Sequence, residues 1–232
     1  MTQHIIIDKI KVPFVNGQTI MQAANAANIY IPHLCHNPKL EPRSSCKICT
    51  IKLNNRYVSA CDTPAVSKGV IENNTEELIN NRLRLLQMLF VEGNHICPAC
   101  ERSGSCQLQA IAYYYKMLAP QFTHFYPKNK VDASHPDFII DFNRCILCGL
   151  CVRASIKLDQ KHVFALSGRG QNMQLIVNSK SGKLSDSDFS KDDQAAKICP
   201  VGAILPKHKG YEVPVGQRIY DQKLIDIVGD DQ

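Results

Sequence analysis

Three cysteines recur every third residue in Cys145-Ile146-Leu147-Cys148-Gly149-Leu150-Cys151, and a fourth, Cys199, lies 48 residues on with Pro200 directly after it. Thiolates at that spacing can wrap one face of an iron–sulphur cube while the backbone N–H groups between them point at its sulphurs. The fourth iron then needs a donor from elsewhere, and Cys199 fits that role. Pro200 has no N–H and a fixed φ, so it steers the chain away after the ligand. A zinc knuckle is the competing reading, but zinc sites seldom combine such a triplet with a distant Cys-Pro pair.

Two further sets lie upstream. Cys35, Cys46, Cys49 and Cys61 follow the spacing C-x10-C-x2-C-x11-C. Four thiolates in one module can hold two irons, each with two cysteines and two bridging sulphides, although the first gap is wider than in the plant-type pattern. A structural zinc is the alternative here. A Rieske-type site on His33 and His36 would leave two of the four cysteines idle, so both histidines are expected to pack or hydrogen-bond. Between the outer sets lie His95, Cys97, Cys100 and Cys106. A cube needs four donors, and His95 is the nearest one after the three cysteines. Eleven cysteines and one histidine make twelve donors, three sets of four. A three-cysteine site completed by water or an outside ligand is the rival.

The rest of the composition suits metal binding in a reducing compartment. Eleven cysteines in 232 residues is a high and odd number, whereas an oxidised secreted scaffold more often carries an even count. The opening Met-Thr-Gln-His-Ile-Ile-Ile-Asp lacks a basic stretch before a long apolar core, so no signal peptide is expected. No apolar run approaches the roughly 18 residues of a membrane span. A cytoplasmic location is therefore expected, where clustered cysteines usually mean metal. The formal charge of +6 invites a nucleic-acid partner. Eleven thiolates around three cluster cores of about +2 each bring the total to about +1. No stretch interleaves aromatics with a basic run, so no nucleic-acid partner is expected. Gly168-Arg169-Gly170 lacks the third glycine and the following helix of a dinucleotide-binding turn.

Positioning these donors requires a definite series of elements. Ile5 to Val12 reads as a strand, Asn16-Gly17 as a turn, and Thr19 as the cap of a helix carrying Ile20, Ala23, Ala24 and Ala27. Cys49 to Leu53, the Asn54-Asn55 turn and Arg56 to Ala60 read as a hairpin. Thr75 caps a helix that runs to about Glu92, with Leu78, Ile79, Leu83, Leu86, Leu89 and Phe90 as its apolar face, ended by Gly93-Asn94. A second helical pattern runs through Leu108, Ile111, Tyr114 and Leu118, and Tyr113-Tyr114-Tyr115 on it read as packing residues. Asp137 to Phe142 forms a strand into Cys145, and a helix follows Cys151 to Lys157. Val163 to Leu166 and Met173 to Val177 are strands, 180–193 is a loop, a short helix precedes Cys199, and Val201 to Ile204 starts a return strand. A two-cluster ferredoxin carries a further Cys-Pro where this chain has Ser155 and Ile156, so this module reads as one that kept a single cluster.

The expected fold class is α+β. Residues 1–74 form a 2Fe–2S ferredoxin-like (β-grasp) module, 75–119 a small helical 4Fe–4S module, and 120–206 a bacterial-ferredoxin-like 4Fe–4S module. Residues 207–232 form a tail that packs on that module or on a partner.

These sets, in this order, resemble the amino-terminal iron–sulphur region shared by the large subunit of respiratory complex I and some iron-only hydrogenases. The resemblance rests on Cys35 to Cys61; on His95 with Cys97-Pro98-Ala99-Cys100 and Cys106-Gln107-Leu108-Gln109; and on Arg144-Cys145 to Cys151-Val152-Arg153 with Cys199-Pro200-Val201-Gly202-Ala203. Those proteins continue for hundreds of residues, whereas this chain stops soon after Cys199. It is thus most similar to the HoxU family, the diaphorase iron–sulphur subunits of soluble, bidirectional NAD-reducing nickel–iron hydrogenases. The resemblance implies one 2Fe–2S cluster, one 4Fe–4S cluster on a histidine and three cysteines, and one 4Fe–4S cluster on four cysteines. It also implies as partners a flavin- and NAD-binding diaphorase subunit and the hydrogenase small and large subunits. In the wider group the histidine stands four residues before its first cysteine, where this chain has Gly93; the short subunits allow the form Asn94-His95-Ile96-Cys97.

The function so implied is single-electron relay within a hydrogen:NAD oxidoreductase, with no catalytic residue of the chain's own. Burial by Ile146, Leu147, Leu150, Ile198 and Val201, with N–H donors to sulphur, would set the potentials. A relay subunit of another NAD-linked complex, a formate dehydrogenase or a complex I-like assembly, is the alternative. A zinc-bound interaction module is the alternative of another class.

Overall fold

Alternating β-branched residues fold the amino-terminal part into a sheet. The computed structural model describes residues 3–229, which form two compact units divided between Leu86 and Gln87. In the first, β1 (Gln3–Ile7) and β2 (Ile10–Phe14) are antiparallel, with Ile5 opposite Val12. The single strand expected over Ile5 to Val12 is thus two strands. Asp8 and Lys9 reverse the chain at φ 46° and 74°. Neither is a glycine or asparagine, so the pattern gave little sign of a turn. The Asp8 carboxylate holds it by accepting the Asn73 N–H at 2.8 Å.

Helix α1 (Ile20–Ala26) follows the expected cap. Thr19 accepts the Gln22 N–H, and the Gln22 side chain accepts the Thr19 N–H at 2.9 Å. Thr19→Ala removes one side of this box and should lower stability by about 1 kcal/mol, read as a lower urea midpoint at unchanged slope. The hairpin of β3 (Thr50–Leu53) and β4 (Arg56–Ser59) is also as expected, with Asn54 and Asn55 both left-handed. Strand β5 (Val70–Glu72), unforeseen because it is three residues long, lies parallel to β1 and antiparallel to β3. The sheet order is β2-β1-β5-β3-β4. Its core joins Ile5, Ile7, Val12 and Ile71 to Ile20, Ala23 and Ala24 of α1. Pro13, which has no N–H for a second neighbour, falls on the edge strand β2.

Helix α2 (Glu76–Glu92) has the expected bounds, and the Thr75 hydroxyl accepts the Leu78 N–H at its start. Helix α3 (Gln107–Tyr114) ends a turn earlier than its pattern, because Lys116 turns left-handed at φ 55°. Leu118 is 95% exposed and lies outside the helix, and Tyr113 is exposed as well, which corrects its reading as a packing residue. Tyr114 and Tyr115 do pack, ring edge to face.

The second unit continues with β6 (Val131–Asp132), β7 (Phe138–Asp141), α4 (Leu150–Lys157), β8 (Phe164–Ser167), β9 (Gln174–Val177), α5 (Gln194–Lys197), β10 (Ile204–Pro206) and α6 (Ile225–Val228). β7 is the middle of the sheet β10-β7-β6, and β8 pairs with β9 as a separate hairpin across the turn at 168–173. The return strand and the strand leading to Cys145 are therefore hydrogen-bonded neighbours, Ile204 opposite Ile140. This brings Cys199 and Cys145 to one end of the same sheet. Ser155 is fully buried, and its hydroxyl accepts the Val163 N–H at 3.0 Å, tying α4 to the start of β8. In the tail, Tyr220 and Ile225 are buried and the Tyr220 N–H donates to the Gly104 carbonyl. The tail thus meets the expected 120–206 module at Lys207, whose N–H donates to the Asp137 carbonyl, but its later part packs on the segment around α3, outside that module, which corrects the expectation. No described helix is long and apolar enough to cross a membrane.

Candidate metal centres

In the first unit Cys35, Cys46 and Cys49 lie on the loop between α1 and β3, and Cys61 on the turn after β4. They stand as two pairs. Cys49 Sγ is 3.4 Å from Cys61 Sγ. The Cys46 amide donates to Cys35 Sγ at 3.4 Å, and the two side chains share a hydrogen bond. Two thiolates about 2.3 Å from one tetrahedral metal stand about 3.8 Å apart, so two pairs suit two metals. Hydrogen bonds from Cys46 and Cys49 draw the Cys35 thiol down to about 5 and the Cys61 thiol to about 6. Left-handed backbone at Ser44 and Lys47 curls the loop, and the Ser44 hydroxyl sits 3.5 Å from Cys61 Sγ. His33 donates through Nδ1 to the Ile31 carbonyl and packs edge-on to His36, as expected of loop residues.

Sequence reasoning missed Arg82. Its side chain, 1% exposed, lies in the apolar stripe of α2 between Leu78 and Leu86. It donates to the carbonyls of Ile48 (3.1 Å), Thr50 (2.9 Å) and Asn73 (2.8 Å) and to Asn73 Oδ1. It therefore pins the Cys46–Cys49 segment to the helix. A cation inside an apolar helical stripe was the available signal.

The second set surrounds one cavity. His95, Cys97, Cys100 and Cys106 line it together with Phe90, Arg144 and Gly202. His95 hydrogen-bonds the Leu89 carbonyl and packs edge-on to Phe90. Its Nε2 is buried without a hydrogen-bond partner. Leaving a buried polar atom so costs about 1–3 kcal/mol, which a ligated metal would offset. Burial first, and then the Arg144 charge, lower its pKa to about 4, so the imidazole is neutral and its lone pair available. Burial pushes the Cys97 thiol up, and Cys106 to about 12. Such thiols are inert as free nucleophiles and lose their protons when metal binds.

Gly93 abuts the His95 ring. A Cβ at position 93 would stand 2.5 Å from His95 Nε2. The His95 ring thus fills the space that a side chain at 93 would enter, and glycine is required there. Gly93→Ala should push the ring aside and remove up to about four irons per chain, measured as iron per protein after anaerobic purification. Gln109, part of the Cys106–Gln109 motif, binds the loop: its Oε1 accepts the Gly104 N–H at 2.7 Å and its Nε2 donates to Ser103 Oγ.

The third set rings a second cavity. Cys145, Cys148, Cys151 and Cys199 line it with Ile146, Leu147 and Val201, as expected, and with Leu166, Leu175, Ala203 and Ile204. Leu150 and Ile198, also expected around the site, are not part of that wall. Leu147 and Gly149 take left-handed φ of 53° and 69°, which curls the triplet loop. Burial pushes Cys145 up to about 11 and raises Cys151, with neighbouring thiols adding to the latter. Among the described residues no three His, Cys, Asp or Glu donors converge on one ion position. The second and third sets line hollows, and the first is two pairs, arrangements that fit polynuclear groups.

Comparison with known proteins follows this division. Residues 3–76 match a 2Fe-2S iron-sulfur cluster binding domain, 82–120 the NADH-ubiquinone oxidoreductase-G iron-sulfur binding region, and 138–205 a 4Fe-4S single cluster domain. The mitochondrial NADH-ubiquinone oxidoreductase 78 kDa subunit of Candida albicans is 28% identical over 214 residues, which cover 88% of this chain but 28% of that protein. A crystal structure of NAD+-reducing [NiFe]-hydrogenase in the H2-reduced state contains a chain 45% identical, superposing with a TM-score of 0.94 over 97% of this chain and 96% of that one. The HoxS gamma chain of the NAD-reducing hydrogenase of Cupriavidus necator is 35% identical over 223 residues, covering 95% of this chain and 94% of that one. With that identity over nearly the full length of both chains, this protein belongs to the family of NAD-reducing hydrogenase HoxS gamma chains.

Proposed function

We propose that this chain is the electron-relay subunit of an NAD-reducing hydrogenase, a component of a hydrogen:NAD oxidoreductase with no substrate site of its own. One 2Fe–2S cluster is held by Cys35, Cys46, Cys49 and Cys61. One 4Fe–4S cluster is held by His95, Cys97, Cys100 and Cys106, and a second by Cys145, Cys148, Cys151 and Cys199. These sites belong to modules 1–74, 75–119 and 120–206, with 207–232 as a tail. The partners are a flavin- and NAD-binding diaphorase subunit and the nickel–iron hydrogenase small and large subunits, in the cytoplasm, where thiols stay reduced.

The observation that carries this reading is the sorting of twelve donors into three sets of four, one completed by the buried, unpartnered Nε2 of His95. Iron–sulphur clusters, when bound, accept and release single electrons. The chain's own residues hold the irons, exclude water and set the local charge. A neutral imidazole leaves its site one negative charge lighter than four thiolates do, which favours the reduced state. A relay role in another NAD-linked complex is less direct, since the match to the ubiquinone oxidoreductase chain covers only 28% of that protein.

Anaerobic purification should give about ten irons per chain, a matching amount of acid-labile sulphide and three distinguishable EPR signals. The chain should also co-purify with the diaphorase and hydrogenase subunits. A colourless preparation with stoichiometric zinc and no labile sulphide would instead mark an interaction module.

A further inference from the structure

Arg144 precedes Cys145 in the loop of the third set, yet its side chain turns toward the second. Its Nη1 donates to Cys100 Sγ at 3.7 Å and to the Gly202 carbonyl at 3.5 Å. The guanidinium is fixed on both flanks. Glu101 accepts from Nη1 at 2.7 Å and Asp141 from Nε at 3.0 Å. The side chain is only 20% exposed, so its charge is less screened than that of a surface arginine. Gly202 leaves room for this contact. A Cβ there would lie 3.0 Å from Cys100 Sγ and 3.1 Å from Arg102 Cβ, so backbone alone fits between them.

We propose that Arg144 is a positioning residue of the second site: it orients Cys100 and raises the reduction potential of the cluster held by His95, Cys97, Cys100 and Cys106. The inference rests on the ligand assignment above. A hydrogen bond to a ligating sulphur and a nearby positive charge both stabilise the reduced, more negative state of a cluster. The neutral His95 and the cationic Arg144 therefore act in one direction, and they act on the same set. Arg144 is next to Cys145 only through the backbone, whereas its charged end reaches Cys100. The second cluster should feel its loss more than the third. Removing it also leaves Glu101 and Asp141 without their cation, which adds to the downward shift.

The test is an EPR-monitored redox titration of the intact, anaerobically purified complex carrying Arg144→Gln or Arg144→Lys. The signal of the second cluster is assigned as the one that His95→Ala abolishes. In Arg144→Gln its midpoint potential should move downward, and by more than that of the third cluster, with iron per chain unchanged. Arg144→Lys keeps the charge but not the full set of bonds, so its shift should be smaller and in the same direction. An unmoved second-cluster potential, or a larger shift in the third cluster, overturns the proposal. Should Arg144→Gln fail to assemble clusters, Arg144→Lys decides by the same two criteria. Failure of the ligand assignment itself is seen separately, as wild-type protein without these signals.

Discussion

His95→Ala is expected to purify with about six irons per chain instead of about ten, and without the EPR signal of one 4Fe–4S cluster. Three half-buried thiols remain around the cavity, but the fourth donor point is vacated. Of the neighbouring side chains, Phe90 and Ile96 are apolar, the Arg144 guanidinium carries only donors, and Ser103 and Gln109 are engaged in hydrogen bonds to each other and to the Gly104 N–H. The first and third sets should keep their iron, because their eight cysteines line other spaces. His95→Cys is the sharper probe of charge. In whatever fraction keeps the cluster, a thiolate adds one negative charge, and the midpoint potential should fall below that of the wild type. A full complement of ten irons in His95→Ala would mean that His95 is a packing residue and that the site is completed from outside. A potential in His95→Cys that is unmoved or higher would refute the tuning argument while leaving the ligand assignment intact.

Arg82→Met is expected to cost the chain about 3 kcal/mol or more, at about 1 kcal/mol or more for each of the carbonyls left short, more than any surface substitution. Methionine fills most of the volume but offers no donor. The carbonyls of Ile48, Thr50 and Asn73 each lose a charge-assisted hydrogen bond in a buried setting, and every buried acceptor left short costs about 1–3 kcal/mol. Because Ile48 lies between Cys46 and Cys49, the loss falls on the loop of the first set. Urea unfolding followed by far-UV circular dichroism should show the lower midpoint. The visible spectrum of the 2Fe–2S site should bleach first on dilution into air. Arg82→Lys keeps a charge with fewer donors, and should recover about half of the difference. A midpoint within about 1 kcal/mol of wild type in Arg82→Met would show that the buried cation is dispensable.

Much of this protein is legible in its residues because thiolate chemistry is demanding. The spacing of Cys145, Cys148 and Cys151 points to one shared wall, and all three line one cavity; the Thr19 box, the Asn54-Asn55 turn and the Thr75 cap place the surrounding elements, since each is a local interaction between residues a few positions apart. The split of the first strand at Asp8 was hidden because its anchor, Asn73, is 65 residues away. The early end of α3, and the exposure of Leu118, were hidden because helical spacing continues past the point where the backbone turns.

The grouping of eleven cysteines and His95 into three sets of four was legible in the sequence alone, since residue type and interval are properties of the chain before it folds. Only the tertiary structure could decide what stands beside them. That Arg82 carries the first loop, that Arg144 leaves its own set for Cys100, and that the ring of His95 occupies the space beside Gly93 are all contacts made in space. A charge or a missing side chain has no periodicity to announce its partner, and the folded chain supplies that partner from a distant position.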